Sequence, residues 1–121
     1  MSHILIIEDD VTLQKVYSEV LRQEGYDITT VGTGPDGMNA LEKESIHLIL
    51  LDIMLPGGMN GFDILQQLKR NDKFKAIPVI VLTNLDTEKQ AALDFGAIDF
   101  FVKSNMELHT LVEKIKIHLP S

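Results

Sequence analysis

Between Ile46 and Asp52 the chain reads Ile-His-Leu-Ile-Leu-Leu-Asp, apolar for almost its whole length and closed by a carboxylate. An apolar run this short and without alternation fits a strand covered on both faces, the state of a central strand in a parallel sheet. Such a strand delivers its last side chain to the sheet's carboxyl edge, where open α/β folds bind ligands. Asp52 is therefore either placed for chemistry or caps a turn, and the run alone leaves both open.

The flanking sequence repeats the unit. Ile4 to Ile7, Asp27 to Val31, Val79 to Leu82 and Asp99 to Val102 read as further strands, and segments of helical periodicity separate them. That alternation predicts a doubly wound five-stranded parallel sheet with five helices, an α/β fold. Val11, Leu13, Val16, Tyr17, Val20 and Leu21 recur at helical spacing, Asp10 precedes them as a cap, and Gly25 supplies the stop. Pro35 suits the start of a helix over Asp36 to Glu44. Leu55 to Gly61 is a dense loop signal ahead of a helix burying Phe62, Leu65 and Leu68. Thr87 with Gln90, and Ser104 with Glu107, have capping-box spacing before the last two helices, and Gly96 ends the first of these.

The composition excludes several classes. At 121 residues the chain fits one domain, spanning 1–121. It has no run of about 18 apolar residues and no basic-then-apolar leader, so neither a membrane span nor export is expected. The lack of cysteine removes disulfides and thiol chemistry, and fits a cytoplasmic protein. Eleven basic against eighteen acidic residues give a net charge of −7, which disfavours nucleic acid as a partner and favours cations and basic surfaces.

Parallel strands joined by right-handed crossovers bring their C-terminal ends to one edge. The first strand brings Glu8, Asp9 and Asp10 there, the third Asp52, the fourth Thr83 and the fifth Lys103. Crowded carboxylates repel one another unless a cation sits among them. Hard oxygen ligands without His or Cys select Mg²⁺ or Mn²⁺, and a hydroxyl and an ammonium opposite such an ion suit a phosphoryl group. His3, His47, His109 and His118 are scattered without ligand spacing and are expected in surface or strand-end roles.

These residues resemble the bacterial response-regulator receiver domains, CheY-like and flavodoxin-like in fold, over the whole chain. The resemblance implies strand order 2-1-3-4-5, a phosphoacceptor at Asp52, a switch hydroxyl at Thr83 and the site lysine at Lys103. It further implies Mg²⁺ held by Asp9, Asp52 and the Met54 carbonyl, with Glu8 acting more through water. The phosphoryl donor would be a histidine kinase or phosphotransfer protein. Phosphorylation would then act on a downstream protein target, with the domain a monomer or a phosphorylation-dependent dimer and the fourth helix, fifth strand and fifth helix forming the signalling face. Aspartyl phosphatases carry a second Asp two residues beyond the nucleophile; Met54 stands there, so turnover enzymology is not expected.

Five departures from the family pattern carry expectations of their own. The Asp52–Gly61 loop is one residue longer than the commonest family spacing, the extra residue being absorbed around Gly57-Gly58. Asn84 replaces a small residue after the switch, and Phe100 occupies an aromatic switch position without a hydroxyl. Ser104 follows Lys103 where proline is common, so helix capping is expected to orient the lysine. Met54 and Leu85 are apolar where the family handles attacking water, which predicts slow hydrolysis of the acyl phosphate. Phe100 and Phe101 alternate, so one should be core and the other near the surface.

Two rivals remain. Gly32 to Gly37 matches G-x-G-x-x-G after a strand, the signature of a dinucleotide-binding oxidoreductase fragment. Against it, a complete strand-helix unit precedes the motif, Pro35 lies inside it, and no chain remains for a substrate domain. The other rival is a degenerate receiver acting only as an interaction module.

Overall fold

The computed structural model describes residues 2–55, 60–84, 88–104 and 107–119. Five strands, β1 (His3–Ile7), β2 (Asp27–Val31), β3 (Leu48–Asp52), β4 (Val79–Thr83) and β5 (Asp99–Val102), alternate with five helices. These are α1 (Val11–Gln23), α2 (Gly34–Lys43), α3 (Gly61–Arg70), α4 (Lys89–Asp94) and α5 (Leu108–His118). All strand pairs are parallel and the order is β2-β1-β3-β4-β5, as expected.

The period-two alternation of each strand divides the core. Leu5, Ile7, Ile49, Leu51, Val79 and Val81 face α2, α3 and α4, where Ala40, Leu41, Ile64, Leu65, Leu68 and Ala92 cover them. Ile4, Ile6, Leu48, Leu50, Ile80, Leu82 and Phe101 face α1 and α5, meeting Tyr17, Leu21, Leu111, Val112 and Ile115. Every residue of β3 and β4 is buried, which is why those segments read as unbroken apolar runs. Each fully buried leucine contributes roughly 1.5–3 kcal/mol over leaving it in water.

Local chemistry sets the boundaries. Asp10 caps α1 through the Leu13 N–H, and Gly25 follows that helix at φ +94°. Gly96 takes φ +108° after α4. Thr33 caps α2 and Pro35 sits in its first turn, so this helix begins two residues before Asp36. β3 starts at Leu48, two residues later than expected; just ahead of it His47 donates its N–H to the His3 carbonyl, and Ile46 is buried. Val11 is 73% exposed and does not join the buried face expected of it.

The capping pattern before α5 is corrected. The helix begins at Leu108 with Glu107 in the capping position itself, one turn later than a Ser104 cap requires. Lys103 is oriented by other means: its N–H bonds the Thr83 carbonyl at 2.7 Å and its ammonium is held by ion pairs. Thr87, Leu85 and the Pro56–Met59 part of the long loop lie outside the described residues, as do the expectations attached to them. Among the described residues no helix is long and apolar enough to cross a membrane.

Candidate functional site

Ladder register assembles the site. Ile7 stands opposite Leu51, Asp52 opposite Leu82, and Thr83 opposite Val102, so Glu8, Asp52, Thr83 and Lys103 emerge within one step of a common line at the carboxyl edge. The Glu8 N–H continues the ladder to the Val31 carbonyl at 3.0 Å. Gln14, from α1, donates its side-chain amide to the carbonyls of Glu8 and Val31 and pins the start of this acidic turn. Asp10 is consumed as a helix cap and gives its own N–H to Glu8 Oε2 at 3.2 Å. Of the three acids after β1, Glu8 and Asp9 therefore remain for the site.

Glu8 and Asp52 are buried, and a single ammonium serves both. Lys103 Nζ lies 2.7 Å from Glu8 Oε1 and 3.1 Å from Asp52 Oδ2. The other Asp52 oxygen, Oδ1, accepts the Met54 N–H at 3.1 Å. Met54 is itself 68% exposed, so its backbone is fixed at the site while its side chain stands at the mouth. Burial, and then contact with Asp52, push the Glu8 carboxyl up to about 7, against the pull of Lys103 and the Asp10 N–H. Burial works against the charge of Lys103, but Glu8 and Asp52 outweigh it and hold the ammonium above its ordinary value. The pocket is thus short of positive charge.

Glu8, Asp9 and Asp52 each present a carboxylate oxygen such that all lie within 4.8 Å of one another, and Asp9 opens the group to solvent. Three hard oxygen donors with no imidazole among them, two sharing one ammonium, fit a hexacoordinate cation such as Mg²⁺ or Mn²⁺. No histidine belongs to the group: His3 bonds Thr29 at 2.7 Å, His118 lies 3.2 Å from Asp99, and His47 and His109 are exposed.

Thr83 is buried at the end of β4, and its hydroxyl donates to Glu88 Oε1 at 2.8 Å. Phe101 is core; Phe100 is half-buried, with Lys89 Nζ 4.6 Å and Lys114 Nζ 5.1 Å from its ring centroid. Asn84 is exposed. The Gly32 to Gly37 segment follows β2, and Gly37 serves packing: a Cβ there would stand 2.5 Å from Ile7 Cδ1. Thr33 and Pro35 start α2, which leaves the motif without a role in nucleotide binding to explain.

Three residues near the site escaped the sequence reading. Gln14 and Glu88 act through contacts whose partners are fixed only once the turns are folded. Tyr17 belongs to the core, and its buried hydroxyl also feels the site: burial first, then the negative charge of Glu8, push it up to about 12.

Comparison with known proteins agrees with this geometry. The family model described as "Response regulator receiver domain" matches residues 4–116. The chain is 37% identical over 119 residues to the transcriptional regulatory protein YkoG of Bacillus subtilis, covering 97% of this chain and 50% of that protein. It is 38% identical over 105 residues to the sensory transduction protein RegX3 of Mycolicibacterium smegmatis, covering 85% of this chain and 44% of that one. The chain thus spans about half the length of these relatives. Among solved structures, the response regulator TrrA of Thermotoga maritima, in complex with Mg²⁺-BeF, superposes with a TM-score of 0.89 at 27% identity, over 98% of this chain and all of that one. Sheet order, acidic edge and family match together mean that the chain belongs to the response regulator receiver domains of two-component signalling, phosphoacceptors rather than turnover enzymes.

Proposed function

We propose that Asp52 accepts a phosphoryl group from a phosphohistidine of a partner kinase or phosphotransfer protein, and that the resulting acyl phosphate switches the affinity of this domain for a downstream protein. The observation that carries this reading is Asp52 itself: buried, 3.1 Å from Lys103, and within reach of two further acids. An Asp52 carboxylate oxygen would attack phosphorus in line, forming the O–P bond as the P–N bond of phosphohistidine breaks and the imidazole leaves. Lys103 stands where it can follow the negative charge from Asp52 onto the transferring oxygens. Glu8, Asp9, Asp52 and the Met54 carbonyl would hold Mg²⁺, with Mn²⁺ as a substitute. The ion would neutralise phosphoryl charge and orient the donor.

Thr83 is the group to report the event, since its hydroxyl can turn from Glu88 towards the new phosphoryl oxygens. A cytoplasmic setting and a single domain over 1–121 go with this reading. The downstream protein target, and the choice between monomer and phosphorylation-dependent dimer, are parts of the same proposal. A degenerate, interaction-only receiver is disfavoured because each position of the site carries a competent side chain.

Incubation with Mg²⁺ and acetyl phosphate, followed by intact-mass analysis, tests the proposal. A gain of one phosphoryl group that chelator and Asp52→Asn both abolish is the expected result. No gain, or a gain that survives Asp52→Asn, would remove Asp52 from the role.

A further inference from the structure

The geometry points to Glu88 as a latch that holds Thr83 in its resting position, so that phosphorylation must win the hydroxyl away from a carboxylate. This inference rests on the reading of Thr83 as the switch. The Thr83 hydroxyl is buried and donates to Glu88 Oε1 at 2.8 Å, a hydrogen bond to a charged acceptor in a half-buried setting. Such bonds are roughly twice as strong as neutral ones. Glu88 occupies the capping position of α4, yet its side chain caps nothing there. Its carboxylate is directed back to β4 instead.

A hydroxyl has one proton to donate. Thr83 cannot give it both to Glu88 and to a phosphoryl oxygen on Asp52, so the two bonds compete and define two states. Any ligand that takes the hydroxyl must first supply what the Glu88 bond gave, and its apparent affinity is lowered by the same factor. Glu88 is half-buried rather than enclosed, so water can replace Thr83 on its oxygen when the bond breaks. The latch therefore opens without stranding a charge. It also has a mechanical outlet, because the next residue, Lys89, begins α4 and lies over the Phe100 ring. Release of Glu88 frees the first turn of α4 next to that contact.

Beryllofluoride with Mg²⁺ is the probe, titrated by fluorescence or NMR against the wild type, Glu88→Ala and Glu88→Gln, each also in a Thr83→Val background. With Thr83 present, Glu88→Ala is expected to tighten binding about tenfold, and Glu88→Gln, which still accepts a weaker bond, by less. In the Thr83→Val background both changes should have little effect, because no hydroxyl remains to hold. An equal gain in both backgrounds would mean that Glu88 merely repels the anion, and no gain in either would mean that its bond is idle; each overturns the latch while leaving the receiver reading intact. Wild-type protein that binds no beryllofluoride would overturn the receiver reading and the latch with it.

Discussion

Glu8 and Asp52 stand within reach of the same ammonium, and that sharing makes the resting site sensitive to pH. The Glu8 carboxyl sits near 7 in the folded protein against 4.5 for a free side chain, because burial and then Asp52 disfavour its charge. Between those values the folded chain keeps a proton that the unfolded chain releases, so this group's contribution falls as pH rises through the interval, by on the order of 2 kcal/mol. Comparison with the Glu8→Gln variant isolates the contribution of this one carboxyl. In chelator, Glu8→Gln should gain roughly 2 kcal/mol on the wild type between about pH 5 and pH 7.5 by urea unfolding; a constant difference would show that Glu8 stays ionised throughout. Asp52→Asn belongs to the same account. It leaves Glu8 and Lys103 as a matched pair, so metal-free stability at neutral pH should rise by roughly 1 kcal/mol, and a loss would mean that Asp52 is net stabilising.

At the scale of elements, the start of α3 governs how Asp52 is presented. Asn60 and Asp63 close a reciprocal capping box, and the Gly61 N–H bonds the Ile53 carbonyl at 2.8 Å. A Cβ on Gly61 would fall 2.3 Å from the Asp52 carbonyl oxygen and 2.6 Å from Ile53 Cα, both backbone and unable to yield as a flexible side chain could. Gly61→Ala is expected to cost at least about 2 kcal/mol and to slow Asp52 phosphorylation. Asn60→Ala should cost about 1 kcal/mol with phosphorylation nearly unchanged. Parallel unfolding curves and phosphorylation rates distinguish the two, and similar rates for both would show that the close approach of α3 does not shape the site. The Gly61 loop signal was legible in sequence, but its reason was not, since the clash is with backbone nine residues earlier. Strand positions were legible because burial on both faces leaves apolar runs. Helix starts shifted where a cap lay elsewhere than spacing suggests, at Thr33 and Glu107. The Thr83–Glu88 and Gln14 contacts left no pattern, because polar partners across a turn obey no period.

The whole molecule matters to the proposed metal site because its candidate donors come from the ends of β1 and β3, 44 residues apart from Glu8 to Asp52 (52 − 8), and only the folded sheet brings them together. Alternation of strands and helices predicts a parallel sheet but not its order; the order came with the family resemblance, and it decides which acids become neighbours. Since an unfolded chain does not gather these donors, Mg²⁺ should bind the native state almost exclusively and stabilise it by mass action. At one hundred times its dissociation constant the gain is about 2.7 kcal/mol, equivalent to roughly 10 °C in melting temperature for a domain of this size. Protons compete for the same cluster, because Glu8 holds one below about 7, so the shift should be smaller at about pH 5.5 than at pH 8. Asp9→Asn and Asp52→Asn should each remove most of the shift, as each deletes a charged donor, whereas Asp10→Asn should retain it because Asp10 is engaged as the α1 cap. Thermal melts of the four proteins across a Mg²⁺ series decide the matter: a rise shared by all four would locate the ion elsewhere on a chain of net charge −7, where acidic surface is plentiful.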